Sequence, residues 1–152
     1  MRVFIVDDSA IVCERLETMF SELKGIELIG QAQHPVDATE SIRKLKPDLV
    51  ILDIRLRGGS GIDVLQDLKQ GHAAPIVMIL TNFPYPQYRK KCVDAGADFF
   101  FDKSTEFDKV SEVLKKLSED SLFGNRRKDN IRRLNSRGQQ IGPGQTKAKQ
   151  PR

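Results

Sequence analysis

Short apolar runs and amphipathic stretches take turns along residues 1–120 of the chain. Runs dense in β-branched and aromatic residues fall at about 2–7 (RVFIVD), 27–32 (ELIGQA), 49–53 (LVILD), 76–81 (IVMILT) and 98–101 (DFFF). Their length and composition predict strands, and three are almost continuously apolar, the pattern of strands covered on both faces. Between them the apolar residues recur at helical steps. Val12, Leu16, Met19, Phe20 and Leu23 form one stripe behind Ser9, whose hydroxyl suits a helix N-cap. Further helices are expected at about 36–45, at 62–70 with Gly71 as stop, at 87–95 with Gly96 as stop, and at 106–117 through Phe107, Val110, Val113, Leu114 and Leu117. Strand and helix alternate five times, which predicts an α/β fold, a doubly wound five-stranded parallel sheet.

The residues that end the strands carry the chemistry. The first expected strand runs into Asp7 and Asp8, the third into Asp53, the fourth into Thr81, and Lys103 follows the fifth. In a right-handed, doubly wound parallel sheet these ends share one edge, where ligands bind at the reversal of winding. Gathered carboxylates repel and resist losing water unless a cation or proton compensates them. Their hard oxygens suit Mg²⁺, which takes one or two carboxylates with waters and phosphate oxygens. A hydroxyl and an ammonium suit a phosphoryl group, whose transfer needs charge neutralisation more than covalent help. Asp53, central and flanked by both, is best placed as nucleophile.

Charge divides the chain. Residues 1–120 carry 16 Lys and Arg against 20 Asp and Glu, whereas residues 121–152 carry 9 against 1. The second stretch, rich in Gly, Gln, Arg and Lys, offers too little apolar surface to offset ordering entropy. It is expected to be a basic, disordered tail behind one folded domain of residues 1–120. No folded helix-turn-helix core fits within it. Its charge could hold nucleic acid, although a solvated run is the plainer reading. The N-terminus enters a strand directly and no long apolar segment follows, so no signal peptide or membrane span is expected and the location is read as cytoplasmic. Cys13 and Cys92 have no metal-ligand spacing and are expected to be buried thiols.

With these residues in view, VFIVDDSA, LVILDIRLRGGSGIDVL, VMILTNF and GADFFFDKS resemble the receiver (CheY-like) domain of bacterial two-component response regulators, over about residues 1–120. The resemblance implies the flavodoxin-like (βα)₅ receiver fold with strand order 2-1-3-4-5. It further implies that Asp53 is the phosphoacceptor and that Asp8, Asp53 and the backbone carbonyl of Arg55 ligate Mg²⁺, with Asp7 acting through water. Thr81 and Lys103 would bind the phosphoryl oxygens, and Phe100 would be the aromatic switch that moves with Thr81. The implied partners are a sensor histidine kinase or phosphotransfer protein as donor and an unknown downstream protein; a phosphorylation-dependent dimer is also compatible with the family. The chain would catalyse its own phosphorylation and dephosphorylation rather than act as an enzyme on a separate metabolite.

The sequence departs from the family pattern at several places. Asn82 replaces a small residue, Arg57 a frequent Pro, and Ser104 a Pro often preceded by a cis bond. A cis bond before Ser costs roughly 2.5–4 kcal/mol, which leaves that conformation to the structure. Arg55 and Phe83, two residues beyond Asp53 and Thr81, are expected to flank the phosphoryl group and hinder attack by water. Taken singly, each aspartate could be a solvated loop carboxylate and Phe100 plain core. His34 and His72 are expected to be exposed and uninvolved, and RGGSG at 57–61 a flexible turn. The rival functions are a haloacid-dehalogenase-like phosphatase, which needs an acid where Arg55 stands, a nucleic-acid-binding or partner-binding module acting through the tail, and a receiver that signals without phosphate.

Overall fold

The computed structural model describes residues 1–122. In chain order the elements are β1 (Arg2–Val6), α1 (Ala10–Ser21), β2 (Glu27–Ala32), α2 (Pro35–Leu45), β3 (Leu49–Leu52), β4 (Arg55–Leu56), β5 (Gly59–Ser60), α3 (Gly61–Lys69), β6 (Ile76–Thr81), α4 (Pro86–Asp94), β7 (Phe99–Asp102) and α5 (Phe107–Leu122). Five strands form one sheet in the order β2-β1-β3-β6-β7, all parallel. Counting only these five, the order is the expected 2-1-3-4-5.

The alternation of side chains along the strands splits the core in two. Val3, Ile5, Leu49, Ile51, Met78, Leu80, Phe99 and Phe101 face α1 and α5, meeting Cys13, Leu16, Phe20, Val110 and Leu114. Phe4, Val6, Val50, Leu52, Val77, Ile79 and Phe100 face the other way, onto Ala38 and Ile42 of α2, Leu65 and Leu68 of α3, and Cys92 of α4. Both layers exclude water almost completely, which is why β1, β3 and β6 read as unbroken apolar runs. Every β→α connection consequently opens on the same edge of the sheet.

Local chemistry ends the elements largely where the sequence indicates. Ser9 caps α1, its hydroxyl accepting the Val12 amide at 3.3 Å. Gly96, at φ +99°, turns the chain after α4 in a conformation that disfavours a side chain. Some expectations need correction. β3 stops at Leu52, because the Asp53 carboxylate folds back to accept the next amide, that of Ile54, at 2.7 Å. β7 lies one residue later than expected, since Asp102 pairs with Thr81 in the parallel register. RGGSG is no loose turn: Arg55–Leu56 and Gly59–Ser60 pair as a small antiparallel hairpin, turned by Gly58 at φ +84°, and Ser60 then caps α3. α5 continues to Leu122, and the remainder of the basic stretch of 121–152 lies outside the described residues.

Candidate functional site

β1, β3 and β6 deliver Asp7, Asp8, Asp53 and Thr81 to one edge, and the loop after β7 adds Lys103. The backbone continues the ladder just far enough to fix them. Asp53 donates its amide to Val6 O at 2.9 Å, Asp7 to Ala32 O at 3.1 Å, and Lys103 to Thr81 O at 2.9 Å.

Lys103 organises the centre. Its Nζ lies 2.7 Å from Asp7 Oδ2 and 2.8 Å from Asp53 Oδ2, and all three side chains are almost wholly buried. The second oxygens are also held, Asp7 Oδ1 by the Ser9 amide at 2.8 Å and Asp53 Oδ1 by the Ile54 amide. Asp8, half-buried, completes the cluster: one oxygen from each of Asp7, Asp8 and Asp53 lies within 4.8 Å of the others. The cluster thus gathers three carboxylates, two of them paired with one ammonium, and the excess negative charge is what a divalent ion would offset. Hard oxygen donors at this spacing fit Mg²⁺.

The electrostatics follow the burial. Loss of water is the largest influence on Asp7 and raises its carboxyl pKa above the ordinary value, despite the downward pull of Lys103. For Lys103 burial works against the charged form, but the hydrogen bonds and charges of Asp53 and Asp7 together raise its pKa. Thr81 is fully buried, its oxygen accepts the Phe83 amide at 3.1 Å, and its own proton has no protein acceptor among the described residues. A hydroxyl donor aimed nowhere else suits an incoming oxyanion.

Around this centre lie residues of unequal legibility. Arg55 is exposed and its Cζ stacks 4.0 Å from the Phe83 ring centroid, a direct contact between the two that was not part of the expectation. Phe83, Tyr85 and Tyr88 continue as a chain of ring contacts at 6.3 and 5.9 Å. Phe100 is fully buried, with Arg89 of α4 lying 4.4 Å over its ring. Ser104 follows Lys103 without a cis peptide, none occurring among the described residues. His34 is exposed but not idle, its Nδ1 lying 3.0 Å from Arg57 O beside the hairpin. Cys13 and Cys92 are free and buried, and burial pushes the Cys92 thiol up to about 12. Gly61, Asp102 and Arg89 were not singled out by the sequence. Gly61 lay within RGGSG and Asp102 within GADFFFDKS, but the role of Gly61 is a close backbone approach that no spacing reveals.

The fold and the acidic cluster define a doubly wound α/β module that concentrates carboxylates and an ammonium at the carboxyl edge of its sheet. Residues 3–115 match the family described as "Response regulator receiver domain", and the chain belongs to that family. It is 32% identical over 116 residues to the uncharacterized transcriptional regulatory protein YvfU of Bacillus subtilis, covering 76% of this chain and 58% of that protein. It is 35% identical over 102 residues to a protein-glutamate methylesterase/protein-glutamine glutaminase of Hydrogenovibrio crunogenus, covering 67% of this chain and 24% of that protein. The chain therefore spans a little over half of the first relative's length and about a quarter of the second's. Among solved structures it is similar to one from Borrelia burgdorferi, a CheX–CheY–BeF₃–Mg²⁺ complex, with 25% identity, a TM-score of 0.68, and 82% of this chain and 90% of the other covered. No described helix is long and apolar enough to cross a membrane.

Proposed function

We propose that this chain is a phosphoacceptor in a two-component phosphorelay, taking a phosphoryl group on Asp53 from a histidine kinase or a phosphotransfer protein. One observation carries the reading: a buried ammonium, Lys103, bridges Asp53 and Asp7 at the rim of a carboxylate cluster that it cannot neutralise alone. Asp53 has its carboxylate plane fixed from both oxygens before any donor arrives, which supplies orientation in advance. Lys103 can follow the developing negative charge from Asp53 to the transferred oxygens, and the Thr81 hydroxyl can donate to one of them. Asp8 and Asp53, with the Arg55 carbonyl, would hold Mg²⁺, and Asp7 would act on it through water. When bound, the ion would neutralise phosphoryl charge during transfer and after it.

The same reading gives the output. Drawing Thr81 and Lys103 onto a phosphoryl group shifts the ends of β6 and β7, and Phe100 on β7 transmits the change to α4 and so to a downstream protein or a second copy of the chain. No separate metabolite is processed. Arg55, where a haloacid-dehalogenase-like phosphatase needs its second acid, is stacked on Phe83 and cannot serve as one.

The test is incubation with acetyl phosphate and Mg²⁺, followed by intact-mass spectrometry. One phosphoryl group should add, be released by hydroxylamine as an acyl phosphate is, and fail to add to Asp53→Asn. Labelling of Asp53→Asn at the wild-type level would overturn the assignment.

A further inference from the structure

The turn that carries Lys103 is closed by the residues on either side of it. Asp102 Oδ1 accepts the Ser104 amide at 2.9 Å and the Ser104 hydroxyl at 2.7 Å, tying the neighbours of Lys103 to one another. Backbone bonds pin the same turn from both ends. Lys103 donates its amide to Thr81 O at 2.9 Å, and Glu106 donates its amide to Asp102 O at 2.8 Å. Glu106 also reaches back, its Oε1 accepting the Asp102 amide at 3.0 Å while Oε2 pairs with Lys109. The Ser104 bond exists only because residue 104 keeps an amide hydrogen, which a proline would lack.

Such closure matters for a lysine more than for most residues. The ammonium sits at the end of a flexible four-carbon stem, so its place is set by where its Cα is anchored and by what it touches. Lys103 has to meet Asp7 and Asp53, which arrive from two other strands, and its contacts of 2.7 and 2.8 Å leave little room for the anchor to drift. Burial opposes ionisation of Asp102, yet hydrogen bonds from Ser104 and Thr105 and the nearby charge of Arg89 hold its carboxyl below the ordinary value. Arg89 is also the cation that lies over Phe100. The acceptor that closes the Lys103 turn therefore stands beside the group that caps the core aromatic of β7.

We infer that Asp102 is a positioning residue for the phosphoryl site, its Oδ1 acting as the acceptor that sets where the Lys103 ammonium stands. The functional consequence rests on the phosphoacceptor reading, whereas the geometry does not. A carboxamide can supply the same acceptor oxygen, so Asp102→Asn should preserve the turn and Asp102→Ala should release it.

The experiment compares wild type, Asp102→Asn and Asp102→Ala in two readouts. The first is the initial rate of phosphoryl incorporation from acetyl phosphate at saturating Mg²⁺, with melting curves to establish folding. Asp102→Ala should fall by about tenfold or more, as expected for a misplaced charged group, and Asp102→Asn should stay within about twofold of wild type. The second readout is the ¹H–¹⁵N signal of the Lys103 ammonium, which its two buried carboxylates should protect from exchange in wild type and Asp102→Asn but not in Asp102→Ala. If wild type takes up no phosphoryl group, the phosphoacceptor reading fails and the ammonium signal alone decides the inference. An Ala variant that keeps the wild-type rate and signal, or an Asn variant as impaired as Ala, would overturn it. Should Asp102→Ala not fold, Ser104→Ala removes the hydroxyl half of the clamp and should produce a smaller loss in the same two readouts; no change in either would count against the inference.

Discussion

The ammonium of Lys103 lies 2.8 Å from the carboxylate of Asp53, two side chains that are 50 residues apart and both almost fully buried. Removing the ammonium leaves Asp53 and Asp7 facing each other without a cation. Breaking a buried pair from one side costs about 3–5 kcal/mol, far more than an exposed pair is worth. Lys103→Met should accordingly lose stability of that order in urea titrations run with a chelator. Mg²⁺ should restore part of the loss, because an ion bound only by the folded state stabilises it. Equal midpoints for variant and wild type without metal would show that the cluster stores no repulsion.

Asp7 sets the pH dependence. Its folded pKa is raised above 3.8, chiefly by burial, so the native state holds this proton more tightly than the unfolded chain does. Stability from this group is therefore greatest at acidic pH and is lost as pH rises through the folded value. Asp7→Asn should be more stable than wild type at neutral pH without Mg²⁺, and should lack that part of the slope. Lys103 acts at the other extreme: with its folded pKa raised above 10.5, its contribution is complete below that value and disappears as pH climbs through the folded one. Denaturant midpoints measured across the pH range, for wild type and Asp7→Asn, check both signs.

Metal binding can be separated from phosphoryl chemistry through Asp8. It belongs to the carboxylate cluster but forms no ion pair with Lys103, whose partners are Asp7 and Asp53. Mg²⁺ should raise the wild-type melting temperature, and Asp8→Ala should abolish most of that rise while disturbing the metal-free protein little. A melting temperature unmoved by Mg²⁺ in wild type would remove the ion from the proposal.

Arg55 and Phe83 stand together, guanidinium on ring at 4.0 Å, at the positions expected to flank the phosphoryl group. A side-chain pair that limits water access slows hydrolysis of an acyl phosphate without being needed to form it. The double variant Arg55→Ala, Phe83→Ala should take up label from acetyl phosphate as readily as wild type, then lose it several times faster once the donor is removed. Loss at the wild-type rate would dissociate the pair from phosphoryl lifetime.

Much of this was legible in the sequence because the signals were local or periodic. The unbroken apolar runs of β1, β3 and β6 reflect burial on both faces, and Asp7, Asp8, Asp53, Thr81 and Lys103 stand out as polar residues where such runs end. The pairing of Lys103 with both Asp7 and Asp53, by contrast, depends on side-chain reach across three strand ends. Nothing in the spacing distinguishes it from one partner or none. The hairpin at Arg55–Ser60 escaped for a different reason: two-residue strands carry no alternation, and glycines signal a turn without saying that it is ordered. Arg89 was missed because its contact with Phe100 is made only after α4 has docked, and Asp102 because its bond to Ser104, though local, does not say which residue the turn serves.

Gly61 is the residue whose role only the structure could reveal, and it yields the sharpest steric prediction. It begins α3, is buried, and donates its amide to Ile54 O at 2.6 Å. A Cβ at this position would stand 1.8 Å from the Asp53 carbonyl oxygen and 3.2 Å from the Ile54 Cα. These are backbone atoms and cannot swing aside, so the segment bearing Asp53 has to move. Helix propensity favours Ala over Gly by about 1 kcal/mol, but a forced backbone shift typically costs about 1–3 kcal/mol, and here the clash is deeper than an extra methylene usually meets. Gly61→Ala should lower the melting temperature and slow phosphoryl uptake together, because the atoms displaced belong to Asp53 itself. Gly71→Ala serves as the control, since its nearest contact would be an ordinary 3.8 Å from Leu68 O. If both variants melt and label like wild type, the close approach of α3 to Asp53 does not govern the site.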